Sequence, residues 1–335
     1  MKVNAIIAKE VYLVKEIMQK LEKMSGNRPI ELVERKGEGK KLIEYYGDFV
    51  PEQWIVAAGA EPYLIMKGGD PQSPEATLDY SIRFMNPLAA SMVGNYLRGV
   101  DRVMPMADGV VIQQHDCHYG RMSEILEFKG LPVYKVGVPA DNMVGISREY
   151  YRHELREFRD YLEKLVGHAL DEGAVRECYA KTNKINELIS KIGELRKKDA
   201  PPITFSDFIR LNHYTMRVDY DTSIEALTEI YEELKDAPGV CAADAPRILI
   251  MGRAVAEGDY VVPSLIEAAG GAIVCDFLDE AIRPIAGQIK VRLTDAAQDL
   301  HQSAANGSVQ ERILDDFVDA SYNGMLALRG MQVYV

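Results

Sequence analysis

The sequence predicts an α/β protein of two Rossmann-like or flavodoxin-like lobes, with parallel sheets and long connecting helices. Two strand–helix–strand patterns and the charged helical stretch between them carry this reading. The first pattern begins with the apolar run Gly109-Val110-Val111-Ile112 and a polar segment, Gln113 to Gly120. A helical period follows from Arg121 to Phe128, Lys129-Gly130 stops it, and Leu131 to Val136 reads as a second strand. Two strands joined by a helix run parallel. The second pattern is a strand at Arg247 to Gly252, a loop at Arg253 to Asp259, a helix at Tyr260 to Ala269 and a strand at Ala272 to Cys275. Gly270-Gly271 supplies the turn out of that helix. Between the two units lie the charged helical stretches Arg148 to Leu170 and Val175 to Lys198.

The remaining elements follow in order. Residues 1–46 read as helical and charged, with Ser25-Gly26-Asn27-Arg28-Pro29 as a loop between two helices. Pro51 to Gly59 reads as a short helix with proline near its start and glycine at its end. Tyr63-Leu64-Ile65-Met66 reads as a buried strand and Lys67 to Pro71 as a turn. Arg196-Lys197-Lys198 closes a helix with cations, and Pro201-Pro202 marks a segment boundary. The organisation is an N-terminal helical segment (1–46), a first α/β lobe (47–147), a helical connecting region (148–246) and a second α/β lobe (247–335) that reads as short at its C-terminal side. The two units do not match residue for residue, so no repeat is assigned.

Composition narrows the function. The 335 residues are 47% hydrophobic and 27% charged, the mix of a globular chain. A net charge of -12 disfavours a nucleic-acid binder, which needs a basic footprint. An anionic substrate such as a CoA ester would need a local basic pocket against that field. Four cysteines are too few for a disulfide scaffold and suit a reducing compartment. No apolar run approaches the ~20 residues of a bilayer span, and no signal peptide is visible, so a cytoplasmic location is expected.

Several chemistries are absent. There is no phosphate loop: Gly37-Glu38-Gly39-Lys40 has glutamate at position 34 where the motif needs glycine. No G-x-G-x-x-G follows a strand, and G-x-S-x-G is missing. In open parallel sheets, ligands sit beyond the carboxyl ends of the strands. Two polar segments occupy such ends, Gln113 to Gly120 and Asp276 to Glu280. In the first, His115, Cys117 and His118 either ligate zinc or iron or form a locally hydrogen-bonded loop. In the second, Asp279 and Glu280 are either helix N-terminal charge or an acid/base pair, with Asp276 close by. Cys178, Cys241 and Cys275 read as packed or loop thiols.

Three segments together resemble the 2-hydroxyacyl-CoA dehydratase and benzoyl-CoA reductase family. They are Val50-Pro51-Glu52-Gln53-Trp54 running into Ala57-Ala58-Gly59-Ala60-Glu61-Pro62, then Ala107 to Ile112 followed by Cys117 and Arg121, and finally Arg247-Ile248-Leu249 with Gly252, Gly258-Asp259, Ile266-Glu267 and Gly270-Gly271. Pro201-Pro202-Ile203, Asp207-Phe208 and Leu211-Asn212 add to the likeness. The resemblance implies a two-lobed subunit that pairs with a homologous second subunit and acts on an acyl-CoA. It further implies a [4Fe-4S] cluster held by cysteines and an electron delivered by a separate ATP-hydrolysing activator protein. On that basis the enzyme is a (R)-2-hydroxyacyl-CoA dehydratase or a dearomatising acyl-CoA reductase. Cys117 would then ligate iron, His115 and His118 would orient the cluster or substrate, and Glu52, Asp279 and Glu280 would be polar groups facing the cleft.

The sequence departs from the family pattern in its cysteines. None stands at Met85-Asn86-Pro87, none around Leu278-Asp279-Glu280, and none follows Asn323-Gly324-Met325-Leu326. One thiolate does not hold a four-iron cluster. Two alternatives follow: a cluster-free structural or regulatory partner subunit, and a zinc hydrolase using His115, Cys117 and His118.

Overall fold

The computed structural model describes residues 2–139, 145–278 and 282–283, with side chains from residue 13 onward. The chain starts with a helix, α1 (Lys2–Gly37), and then enters a strand, β1 (Leu42–Tyr46). A helix α2 (Glu52–Ala57), strand β2 (Glu61–Leu64) and helices α3 (Gln72–Glu75) and α4 (Pro87–Leu97) follow. Next come β3 (Gly109–Gln114), α5 (Cys117–Phe128) and β4 (Val133–Gly137). Four helices intervene: α6 (Gly145–Val166), α7 (Glu172–Leu195), α8 (Phe205–Thr215) and α9 (Tyr220–Leu234). The described chain closes with β5 (Arg247–Met251), α10 (Val261–Ala268) and β6 (Ala272–Phe277).

The first four strands form one parallel sheet in the order β2-β1-β3-β4, and β5 and β6 form a second parallel pair. This is an α/β fold with the strand order of flavodoxin-like sheets. Both strand–helix–strand patterns of the sequence are present. The sheet alternates strictly along β1. Ile43 and Tyr45 join a core with Trp54 and Ile55 of α2 and with Tyr151, Leu155, Phe158 and Leu162 of α6. Tyr46 faces the opposite core, made by Met92 and Val93 of α4 and by Met122, Ile125 and Leu126 of α5. Helices therefore cover both faces, as parallel sheets require.

The helical region is not a passive connector. Val175 and Tyr179 of α7 pack into the α2/α6 core, while Ile185, Leu188, Ile189 and Ile192 pack against α8, α9 and Ile273 of β6. The second unit also touches the first sheet directly. Lys67 and Glu257 form a parallel bridge, with Glu257 N–H donating to Met66 O and Gly68 N–H to Glu257 O, both at 2.9 Å.

Two expectations are corrected here. Residues 1–46 are not wholly helical, because Leu42–Tyr46 is a fully buried strand between β2 and β3. The expected loop at Ser25 to Pro29 lies inside α1. Ile17, Leu21, Ser25 and Leu32 are buried at helical spacing, so one face stays packed through Gly26 and Pro29.

One glycine is fixed by a close backbone approach. A Cβ on Gly94 of α4 would lie 1.7 Å from the carbonyl oxygen of Ser73 in α3. That contact is with backbone, so relief requires the helices to separate. Gly94→Ala is expected to cost about 3 kcal/mol, at the upper end of overpacking changes, read as a fall in the urea midpoint.

Candidate active site

Strand order reverses between β1 and β3, since the chain leaves β1 for β2 on one side and reaches β3 on the other. Ligands of such sheets bind at this switch point. The loop after β1 meets the loop after β3 there. Gly47 has φ +115°, and a Cβ on it would lie 2.0 Å from the side chain of Gln113. Glycine thus lets Gln113 lie across the turn, where its Oε1 accepts from Phe49 N–H at 3.0 Å. The amide nitrogen of Gln113 is 2.9 Å from His115 Nδ1.

Asp116 starts α5. Its Oδ1 accepts from the backbone N–H groups of His118 (2.8 Å) and Tyr119 (3.1 Å), a side-chain cap that sets Cys117 as the first helical residue, exposed. His118 Nδ1 accepts from Asn86 N–H at 3.2 Å. Asn86 in turn caps α4 through Leu88 N–H at 2.8 Å. The segment Met85-Asn86-Pro87, where the resemblance implies a cysteine, therefore abuts the first turn of α5.

The second unit reaches the same place. Arg253 follows the carboxyl end of β5, and its guanidinium lies 3.2 and 3.3 Å from Asp116 Oδ2. Its Nη2 is also 3.2 Å from His115 Nε2. The His115 ring packs on Tyr119 at 4.6 Å between centroids, and Tyr119 stacks on Tyr46 at 4.5 Å. His115, Asp116, Cys117, His118 and Arg253 thus gather where the segment after β3 meets the segment after β5.

Glu52 opens α2, and two buried phenols hold its carboxylate. Tyr220 of α9 donates to Oε1 at 2.7 Å, and Tyr45 of β1 donates to Oε2. Burial pushes both phenols well up, and the Glu52 charge pushes them further, so the protons stay on the tyrosines. Arg283 lies near the same pair, and its positive charge opposes both shifts. Its backbone N–H donates to Asn212 Oδ1 at 2.9 Å.

The other expected residues are placed differently. Asp276 forms an ion pair with Arg196 in which both side chains are buried, and the guanidinium lies 4.1 Å from the Phe208 ring centroid. That carboxylate is a structural partner of α7. Asp279 and Glu280 lie outside the described residues. Tyr45, Tyr220 and Arg253 were not singled out by sequence. The two tyrosines left no local signal, whereas Arg253 directly follows Gly252 at a strand end.

The donor set does not fit a four-cysteine cluster. Cys178 is buried in α7, with its thiol pushed up to about 11 by burial and by Glu177. Cys241 is in a loop whose backbone N–H lies 3.5 Å from Pro201 O, and Cys275 is in β6. Among the described residues no three His, Cys, Asp or Glu side chains group to hold a metal ion. Cys117 is the one cysteine at the switch point.

A family model described as 2-hydroxyglutaryl-CoA dehydratase, D-component (HGD-D), matches residues 49–313. The chain belongs to this family. The match covers the switch-point loops, α5 and the β5–β6 unit. YjiM of Escherichia coli, which carries the name of a dehydratase subunit, is 25% identical over 73% of this chain. A benzoyl-CoA reductase subunit of Thauera aromatica is 25% identical over 71% of it. The beta subunit of (R)-2-hydroxyglutaryl-CoA dehydratase of Acidaminococcus fermentans is 19% identical over 76% of it. The aligned regions span 64%, 61% and 65% of those relatives, less than two-thirds of each. No helix among the described residues is long and apolar enough to cross a membrane.

Proposed function

We propose that this chain is a subunit of an enzyme acting on acyl-CoA thioesters. The reaction is either dehydration of a (R)-2-hydroxyacyl-CoA or reduction of an aromatic acyl-CoA. A homologous second subunit and an ATP-hydrolysing activator protein complete the system. The observation that carries the reading is the placement of His115, Asp116, Cys117, His118 and Arg253 at the switch point, inside the segment that the family model matches.

In this reading the chain's own residues bind and orient the thioester. Arg253 and the two histidines line the edge that receives its oxygen. Glu52, fixed by Tyr45 and Tyr220, is the carboxylate that exchanges a proton with the acyl group. Asp279 and Glu280 remain candidate polar groups following β6. A [4Fe-4S] cluster takes four thiolates, and this chain brings one to the cleft, so the cluster is assigned to the partner, with Cys117 contributing one ligand.

The scattered cysteines favour one second reading, a cluster-free structural or regulatory subunit of the same enzyme type. Iron and sulfide analysis of anaerobically purified protein separates the two. The chain alone is expected to carry no stoichiometric cluster, and its complex with the partner to carry one. Cys117→Ser is expected to lower both the iron content and the activity of the complex at least ~10-fold, since it removes a first ligand and not an outer-shell group. A Cys117→Ser complex with full iron and full turnover would establish the cluster-free reading instead.

A further inference from the structure

We infer that Arg283 is a specificity-determining residue, and that its guanidinium receives a carboxylate carried on the acyl group of the thioester.

Three arginines are buried among the described residues. Two have carboxylate partners: Arg196 pairs with Asp276, and Arg217 with Glu257. Arg283, 8% exposed in the segment after β6, has no carboxylate within 4.0 Å among the described residues. Its Nη2 donates to Thr215 O at 3.2 Å, an oxygen that also accepts from the Ser223 hydroxyl at 3.2 Å. Its Nε is buried and has no described hydrogen-bond partner. Its backbone N–H donates to Asn212 Oδ1 at 2.9 Å, and the Nδ2 of that fully buried asparagine is also without a described partner. A full positive charge and two unused donors therefore belong to one junction, where α8 meets the segment after β6. A shared backbone carbonyl does not neutralise a guanidinium, and a buried charge without a counter-charge strongly destabilises a fold. A carboxylate answers both needs, because its two oxygens match the planar fork of arginine.

The place of this charge says what carries the anion. The guanidinium acts on Tyr45 and Tyr220, the two phenols that hold Glu52. Both Glu52 oxygens are taken by those phenols, and neither is within 4.0 Å of Arg283, so Glu52 is not its ion-pair partner. Glu52 is the group assigned above to proton exchange with the acyl group. An acyl chain that reaches Glu52 brings its far end toward Arg283, while the CoA phosphates lie at the opposite end of the thioester. A second carboxylate at that far end satisfies the guanidinium. An aromatic or aliphatic end leaves it stranded. The assignment rests on the CoA-ester reading above and, of the acyl groups left open there, selects those with a free carboxylate.

The test measures, by titration calorimetry, the binding of glutaryl-CoA and pentanoyl-CoA to the complex of the full chain with its partner subunit. The two esters have acyl chains of equal length and differ in the terminal carboxylate. Neither carries the hydroxyl or the aromatic ring on which the reaction acts, so binding is read without turnover. Wild type is expected to bind glutaryl-CoA at least ~10-fold more tightly, the loss that follows when a charge-assisted hydrogen bond goes unmade. Arg283→Met is expected to abolish this preference by weakening glutaryl-CoA, with pentanoyl-CoA little changed. Equal affinities in wild type overturn the inference and leave the CoA-ester reading standing, whether or not the variant folds. That is also the result if Asp279 or Glu280, outside the described residues, neutralises Arg283. A preference that survives in Arg283→Met overturns it as well, since the carboxylate is then received elsewhere. Free glutarate binding as tightly as glutaryl-CoA overturns it too, because the anion is then not carried on a thioester. If neither ester binds, the CoA-ester reading falls for these ligands and the inference falls with it.

Discussion

Replacing Arg217 with alanine is expected to lower the unfolding free energy by about 3–5 kcal/mol, the cost of stranding one member of a buried ion pair. Arg217 lies in the turn between α8 and α9, and its side chain is 3% exposed. One guanidinium nitrogen is 2.7 Å from Glu257 Oε2, another donates to Leu64 O at the end of β2, and the group lies 3.9 Å from the Tyr63 ring centroid. It therefore joins the helical region, the first sheet and the loop that leads from β5 into α10. Burial pushes the Glu257 carboxyl up, but the Arg217 charge, the hydrogen bond from Arg217 and the nearby His213 and Lys67 together outweigh it and hold the carboxyl below the usual carboxylate range. Removing the arginine leaves that carboxylate half-buried without its counter-charge. Urea titrations of Arg217→Ala, Glu257→Gln and the double variant measure the coupling. If the double variant is no more stable than Arg217→Ala, the loss does not come from the stranded carboxylate.

The same region shows why part of the fold was legible and part was not. The units containing β3 and β5 were readable because each has a short apolar run, a polar loop and a glycine stop in sequence. β1 was not, because Glu44 interrupts its apolar run and Lys40-Lys41 precede it. α4 gave no amphipathic period, since Leu88 through Asn95 are all buried. The site divides in the same way. The loop after β3 could be located from the rule that ligands gather at strand ends. The phenols around Glu52 could not, because Tyr220 is 168 residues away and only packing of α9 brings it there. The cluster expected from the resemblance meets a similar limit: a motif match places Cys117, but ligand sets depend on convergence in space, and the other thiols do not converge.

Glu44→Gln is expected to stabilise the protein at neutral and alkaline pH while changing little in acid. Glu44 sits in the middle of β1, fully buried, and neither carboxylate oxygen accepts a hydrogen bond. Burial pushes its carboxyl well above the usual range, the Asp101 charge pushes it further, and Arg217 opposes them. As a neutral acid, Glu44 has an O–H to donate to Asp101, whose Oδ1 already accepts from the backbone N–H groups of Val103 and Met104. The sign follows from proton counting. Between the ordinary glutamate pKa and the raised one, the folded chain holds a proton that the unfolded chain has lost. Stability in that window falls by about 1.4 kcal/mol per pH unit as pH rises. Glu257 works in the opposite sense: its lowered value lends stability that is present above the ordinary carboxylate pKa and lost as pH falls through it. Together the two groups place the contribution of this cluster at its greatest in mildly acidic solution. Glutamine keeps a donor for Asp101 and cannot ionise, so it removes only the alkaline limb. Urea midpoints compared between about pH 5 and about pH 8 read the effect directly. Equal slopes in wild type and Glu44→Gln would mean that Glu44 is ionised in the folded protein, and the proton between β1 and Asp101 would have to be abandoned.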